Sequence, residues 1–331
     1  MTPTSAAGDH IAEYLASHGD DLVAFRRRLH AHPELSWEER WTTRQIADRL
    51  EAAGLPWRPL TTETGLAVDL VGPVDGPTVL LRADIDALPL DDEKDVPYRS
   101  TRPGVCHACG HDVHTTVVLG AALALAPLMQ ARGGTVRVLF QPAEEAIPGG
   151  ASYLYDTELM DGVDVSYALH CDPSLPVGRV GLKTGPITSA ADRVTIHLKG
   201  PGGHTARPHL TADLVSVAGR VITEVPAGLN RLTDSRDGAT LVFGSVEAGH
   251  AANVIPTTAV IRGTLRVRGR ETWVAAPGLI ERLVEAEADV YGAAWEIEHV
   301  RGSPPVDNDG HAMEVLEGAV VAALGADAVT H

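Results

Sequence analysis

Residues 106–114 read Cys106-His107-Ala108-Cys109-Gly110-His111-Asp112-Val113-His114, two thiols and three imidazoles in nine positions. Thiolate and imidazole are preferred ligands of zinc-like ions, and packing alone does not account for so many donors together. Cys109 and His111 are two apart. On a regular helix such residues point away from each other, so sharing an ion requires a loop or an extended turn, which Gly110 permits. Glu144 and Glu145 are adjacent, and at a strand end their side chains diverge, so one can bind metal while the other stays free as a base. His170 adds an imidazole. Cysteine, histidine, glutamate and histidine together suit zinc, manganese or cobalt better than calcium or magnesium.

Each residue also has a plainer reading. Cys106 and Cys171 read as packing rather than as ligands. Cys106 and Cys109 spell C-x-x-C, which could be redox active, but the surrounding histidines favour metal. The pair is not a haem attachment site, because Gly110 follows Cys109 where a histidine is needed. Adjacent glutamates are commonly solvated surface; here they follow an apolar strand and Pro142, which favours function. His30, His32, His107 and His114 stay open on residue type alone.

The elements that must position these groups are legible in the apolar periodicity. Helical spacing runs from Ile11 to Leu29 and from Glu38 to Ala53, where Gly54 and Pro56 stop it. Thr78 to Ala83 reads as a strand running into Asp84 and Asp86, and Gly134 to Phe140 as a strand ending before Glu144 and Glu145. A third strand, Val163 to Leu169, ends before His170, and the cluster lies in a loop before a helix from about Thr115 to Gln130. Strands alternating with helices predict an α/β layered sheet, and such sheets place their sites outside the carboxyl ends of the strands. After Gly185-Pro186 the pattern becomes strand 193–199, helix 212–225, strands 240–246 and 258–267, helix 271–291 with Pro277 expected to break or start it, and strand 294–300. That β-α-β-β-α-β order is the split ferredoxin-like unit. The expected domains are therefore 1–186, an inserted 187–301, and 302–331, the last with a helix at Gly310 to Leu324 and a strand beginning at Ala328.

Composition narrows the partners. The net charge of −17, from 44 acids against 27 bases, argues against nucleic acid and against an anionic membrane surface. The longest apolar run, around Val117 to Leu128, is short for a membrane span, and Met1 to Asp9 lacks the basic and apolar regions of a signal peptide. Three cysteines, two of them in the cluster, cannot build a disulfide framework, which favours the cytoplasm.

Six segments then carry a resemblance. They are Arg27-Arg28-Leu29-His30-Ala31-His32-Pro33-Glu34-Leu35-Ser36, Leu81-Arg82-Ala83-Asp84-Ile85-Asp86-Ala87-Leu88-Pro89, His107-Ala108-Cys109-Gly110-His111-Asp112, Phe140-Gln141-Pro142-Ala143-Glu144-Glu145, Gly202-Gly203-His204 with Pro208-His209, and Asn253-Val254-Ile255-Pro256. In this order they resemble the M20 peptidase family, in its amidohydrolase branch of N-acyl-amino-acid, hippurate and auxin-conjugate hydrolases. The resemblance implies a zinc-exopeptidase-like layered catalytic domain with an inserted ferredoxin-like lid through which two subunits dimerise. It implies two divalent ions per subunit (zinc, manganese or cobalt) with Cys109, His111, Glu145 and His170 as ligands and Glu144 as general base. Asp84 and Asp86 would shape the site behind the ligands. His204 would polarise the scissile carbonyl, most simply in the partner subunit, and Asn253 would meet the substrate carboxylate.

The implied reaction is hydrolysis of N-acyl amino acids to a carboxylic acid and an amino acid. A dipeptidase of the same family, or a catalytically impaired homologue acting as a binding or dimerising module, are the alternatives. The family continues beyond the point where this chain stops, with an acidic segment, a last histidine ligand and further sheet elements; His331 lies too early to be that ligand. The expectation is a lesion or an incomplete gene model rather than an adapted shorter enzyme, with the second metal one ligand short and a sheet edge uncovered.

Overall fold

The computed structural model describes residues 3–155 and 157–331. Met1 and Thr2, which open the segment expected not to be a signal peptide, lie outside them. The chain divides into two units, Met1–Leu182 with Val315–His331, and Lys183–Glu314.

The first unit is built on a five-stranded sheet. In chain order its elements are α1 (Pro3–Ala31), α2 (Arg40–Ala52), β1 (Trp57–Pro59), β2 (Leu66–Val71), β3 (Thr78–Asp84), α3 (His111–Met129), β4 (Thr135–Gln141), α4 (Ala151–Leu154), β5 (Val163–Ala168) and β6 (Val180–Gly181). The strand order is β1-β2-β4-β3-β5. β3 runs parallel to β4 and β5, while β2 is antiparallel to β4. The sheet is therefore mixed, with two strands, β1 and β2, that the apolar pattern did not reveal. Phe25 and Leu29 of α1, Ile46 and Leu50 of α2, and Val118, Leu119 and Ala122 of α3 pack with Leu66, Val68, Val138 and Phe140 of the sheet. Each of the larger side chains among these contributes about 1.5–3 kcal/mol, and Ala122 less. Gly120 lets α1 approach α3, since a Cβ there would stand 3.0 Å from Leu22 Cδ1.

Two expectations are corrected in this unit. α3 begins at His111, four residues earlier than Thr115, so His111, Asp112 and His114 are helical and the loop ends at Gly110. That makes α3 long and apolar enough to cross a membrane by length and composition, but more than half of it is buried, and it carries His111, Asp112 and His114 inward. Asp84 is the last residue of β3 rather than a residue beyond it.

The second unit holds β7 (Gly185–Pro186), β8 (Ala190–Lys199), β9 (Gly203–His204), α5 (Leu214–Leu232), β10 (Thr240–Glu247), β11 (Val254–Ile255), β12 (Thr258–Val267), α6 (Arg270–Asp289), β13 (Ala294–Val300) and β14 (Asp307–Asn308). Its four-stranded antiparallel sheet has the order β10-β12-β8-β13, the ferredoxin-like arrangement. Along β12 every second residue from Ala259 to Val267 is buried, the period of a half-covered strand. Leu214, Val217, Val221, Val225 and Leu229 give α5 the matching helical stripe. Pro277 neither breaks nor starts α6, which runs through it. A proline there costs one hydrogen bond, and burial of Ala276, Ile280, Val284 and Ala288 outweighs it. α7 (Gly310–Leu324) follows, and β15 (Val329–Thr330) pairs in parallel with β6.

Candidate metal centre

His111 is the first residue of α3, and Gly110 sets it there. Gly110 caps the helix with φ +84°, a left-handed conformation that side chains disfavour, and a Cβ would also press on Cys171 Cβ and Sγ at 3.0 Å. The preceding loop is held to the chain beyond β3, where Leu88 and Cys106 exchange backbone hydrogen bonds of 3.0 and 3.1 Å. The cluster is thereby brought to the carboxyl end of the sheet, where β3 and β4 deliver their acids.

The His111 ring is 1% exposed as a residue. Its Nδ1 donates to the Asp86 carbonyl at 2.9 Å and lies 3.2 Å from Asp86 Oδ1. Its Nε2 is buried and has no hydrogen-bond partner among the described residues. A nitrogen so buried and unpaired is costly unless it serves as a ligand, and a second ring nitrogen tied to a carboxylate or carbonyl is what metal-binding histidines carry. Asp84 Oδ2 stands 3.7 Å from Nε2, Glu145 Oε1 3.8 Å and Glu144 Oε2 4.0 Å. Burial opposes the charged ring, yet the Asp86 hydrogen bond and the charges of Asp84, Asp86 and Glu144 lift His111 to about 9. A cation is what this site favours at His111.

Glu144 and Glu145 do not diverge as their adjacency suggested. Both reach within 4.0 Å of the same ring nitrogen. The reason is local: Ala143 adopts φ +50°, so the chain has left the extended conformation before the two acids. Burial, with the neighbouring charges of Glu145 and Asp84, raises the Glu144 carboxyl above its usual range, against the pull of Arg82. Asp86 also fixes Glu145, because its Oδ2 accepts from the Glu145 backbone N–H at 3.0 Å and from Ser36 Oγ at 2.7 Å.

Cys109, His111 and Glu145 each present a ligand atom, all within 4.8 Å of one another. Burial, the hydrogen bond with Glu145 and the nearby acids push the Cys109 thiol up to about 12, so the thiolate needs a cation beside it. These residues fit a divalent ion of the zinc type. His170 is exposed and lies outside that group. Its ring centroid is 6.4 Å from that of His111, and its Nδ1 is 2.8 Å from the Cys171 carbonyl. Cys106, Cys109 and Cys171 are all free thiols, and Cys106 is buried.

Asp84, His111 and His114 form a second group of the same size. His114 is spoken for, however. Its Nδ1 donates to Asp84 Oδ1 at 2.7 Å and its Nε2 accepts from the Cys171 N–H at 2.8 Å. With both nitrogens satisfied His114 is a strut between β3 and the segment after His170, not a ligand. Its i+3 spacing from His111 was the signal that it faces the same way. Arg82 and His114 hold Asp84 below the ordinary carboxylate range despite its burial. Behind α3, buried His30 bridges two carboxylates, at 2.7 Å from Asp112 Oδ2 and 3.2 Å from Asp92 Oδ2, and so braces the start of the helix. His32 is exposed and bonds the Arg28 carbonyl. Burial lowers His107 to about 4.

His204 and Asn253 belong to the second unit. β9 pairs with β11, so that His204 opposes Val254, and the Thr205 N–H donates to the Asn253 carbonyl at 3.2 Å. His204 Nδ1 accepts the Ala206 N–H at 3.1 Å, which places the proton of the neutral ring on Nε2.

A layered sheet with thiol, imidazole and carboxylate donors at its strand ends is the architecture of a metal-dependent hydrolase. Residues 80–331 match Peptidase family M20/M25/M40, and the chain belongs to that family. It is 44% identical over 306 residues to a putative glutamate–cysteine ligase 2-3 of Rhodococcus jostii, which aligns over 92% of this chain, while the chain spans only 38% of that protein. It is 38% identical to an N-acyl-L-amino acid amidohydrolase of Geobacillus stearothermophilus over 87% of this chain and 78% of the relative. The crystal structure of the Bacillus subtilis YXEP protein, described as a dinuclear metal binding peptidase from the M20 family, superposes with a TM-score of 0.80 at 35% identity. The superposition covers 96% of this chain and 82% of that one.

Proposed function

We propose that this chain hydrolyses the amide bond of N-acyl amino acids, releasing a carboxylic acid and an amino acid, with two divalent ions held by Cys109, His111, Glu145 and His170. The observation that carries this reading is the bare, buried Nε2 of His111, aimed at Cys109 and three acids while Nδ1 is tied to Asp86. The ions would supply Lewis acidity, polarising the amide carbonyl and making water a nucleophile at neutral pH.

The chain's own groups do the rest. Glu144, partly exposed and with its carboxyl raised, takes the proton of the attacking water and returns it to the leaving amine. Asp86 keeps His111 in the tautomer that offers Nε2, and Asp84 holds His114 and Arg82 in place around it. In the proposal His204, with its proton on Nε2, is the donor to the developing oxyanion in the partner subunit's site, and Asn253 is assigned to the substrate carboxylate. The similarity to the Geobacillus amidohydrolase supports the substrate class. Three free thiols support the cytoplasm as its compartment, and a homodimer through the second unit is part of the proposal.

The test is metal analysis together with turnover of N-acetyl and N-benzoyl amino acids. Near-stoichiometric metal with release of free amino acid is expected. Metal-loaded, folded protein that leaves these amides intact while cleaving dipeptides, or cleaving nothing, overturns the assignment.

A further inference from the structure

Glu39 is 0% exposed and lies 104 residues from the nearest member of the glutamate pair's turn, yet it holds that turn directly. Its backbone caps α2, but its side chain makes no cap bond. Instead Oε1 accepts the Ala143 N–H at 2.7 Å and Oε2 accepts the Thr64 hydroxyl at 2.8 Å. Ala143 is the left-handed residue, φ +50°, that turns Glu144 and Glu145 toward His111. Its carbonyl is engaged as well, accepting from the Gly150 N–H at 2.8 Å. A non-glycine residue keeps such a backbone conformation only where its surroundings fix it. Glu39 is itself steadied from behind: its own carbonyl accepts from Thr43 N–H and hydroxyl, and Thr43 Oγ1 accepts the Gly65 N–H, next to Thr64.

We propose that Glu39 is a positioning residue for the metal centre, locking Ala143 in its left-handed turn so that Glu145 reaches the ion and Glu144 reaches the water. This inference rests on the hydrolase reading for Glu144, but its claim on Glu145 is independent of any substrate. What Glu39 supplies is an acceptor at a fixed reach, not a charge. Burial raises its carboxyl above the ordinary value, against the hydrogen bonds from Thr64 and Ala143.

Two variants separate reach from charge. Glu39→Gln keeps an acceptor oxygen for Ala143 and turns an N–H toward the Thr64 hydroxyl, but removes the charge. Glu39→Asp keeps the charge and loses one methylene of reach. Cobalt(II) is titrated into wild type and both variants, following the visible ligand-field bands, with circular dichroism and thermal melting to establish folding. Glu39→Asp is expected to bind cobalt about 10- to 100-fold more weakly with altered bands, and Glu39→Gln to stay within a few-fold of wild type. In turnover assays kcat of Glu39→Asp falls while KM changes little. Wild-type cobalt affinity and bands in folded Glu39→Asp overturn the proposal. So does a cobalt affinity loss of about 10-fold or more in folded Glu39→Gln, and this arm decides the matter even if the aspartate variant does not fold. If wild type binds cobalt but hydrolyses no N-acyl amino acid, the cobalt arm still judges Glu39, while the hydrolase reading fails on its own.

Discussion

Asp86 grips His111 by one ring nitrogen, Nδ1, at 2.9 Å through its carbonyl and 3.2 Å through its carboxylate. The same carboxylate accepts the backbone N–H of Glu145. One buried acid thus orients two of the proposed ligands. Asp86→Ala is expected to weaken zinc or cobalt binding about 10- to 100-fold, measured by chelator competition. Unchanged affinity would mean that the residue 86 carbonyl, which the variant keeps, and the helix suffice to hold His111.

Glu144 stands 4.0 Å from His111 Nε2, and its carboxyl is raised by burial and by neighbouring acids. Glu144→Gln preserves its shape and removes its basicity. It is expected to retain bound metal and to lose about 10²–10⁴-fold in kcat. Metal content by atomic absorption and turnover on N-acetyl amino acids check both halves, and undiminished kcat removes Glu144 from its role.

His114 offers the sharpest contrast between ligand and strut. Because both its nitrogens are hydrogen bonded within the protein, His114→Ala is expected to cost about 2 kcal/mol of stability by stranding Asp84 Oδ1 and the Cys171 N–H. The first equivalent of metal should still bind, to Cys109, His111 and Glu145. Loss of that first equivalent in the folded variant would make His114 a ligand after all.

In the second unit, buried Asp192 on β8 accepts from Trp273 Nε1 at 2.9 Å, from the Gly302 N–H at 3.0 Å, and lies 2.7 Å from His299 Nε2. Burial opposes its charge, but these partners hold the carboxyl below its ordinary 3.8. A lowered folded value stabilises above the unfolded one, and that contribution is lost as pH falls through the folded value. Wild type is therefore expected to exceed Asp192→Asn by about 1–3 kcal/mol at neutral pH, the gap narrowing only below pH 3.8. Urea unfolding across that range measures it, and a gap independent of pH would show that the charge contributes nothing.

The sequence by itself determined which residue types could meet and roughly where. The period-2 run of β12 and the helical stripe of α5 made the ferredoxin-like unit readable, because each element's burial is written in its own spacing. Cys109 and His111 were readable as candidate donors on either side of a turning Gly110 from residue type alone, and their role as ligands is part of the proposal. Tertiary structure alone decided the rest. Glu144 and Glu145 converge on one nitrogen because Ala143 is left-handed, and that conformation is fixed by Glu39 from 104 residues away. His114 becomes a strut because a carboxylate at the end of β3 and an amide after His170 take both its nitrogens. Residue type and spacing give the inventory of donors and acceptors. Which of them is left unpaired, and so free for a metal or a proton, depends on partners tens of residues away that only the folded chain brings within 3 Å.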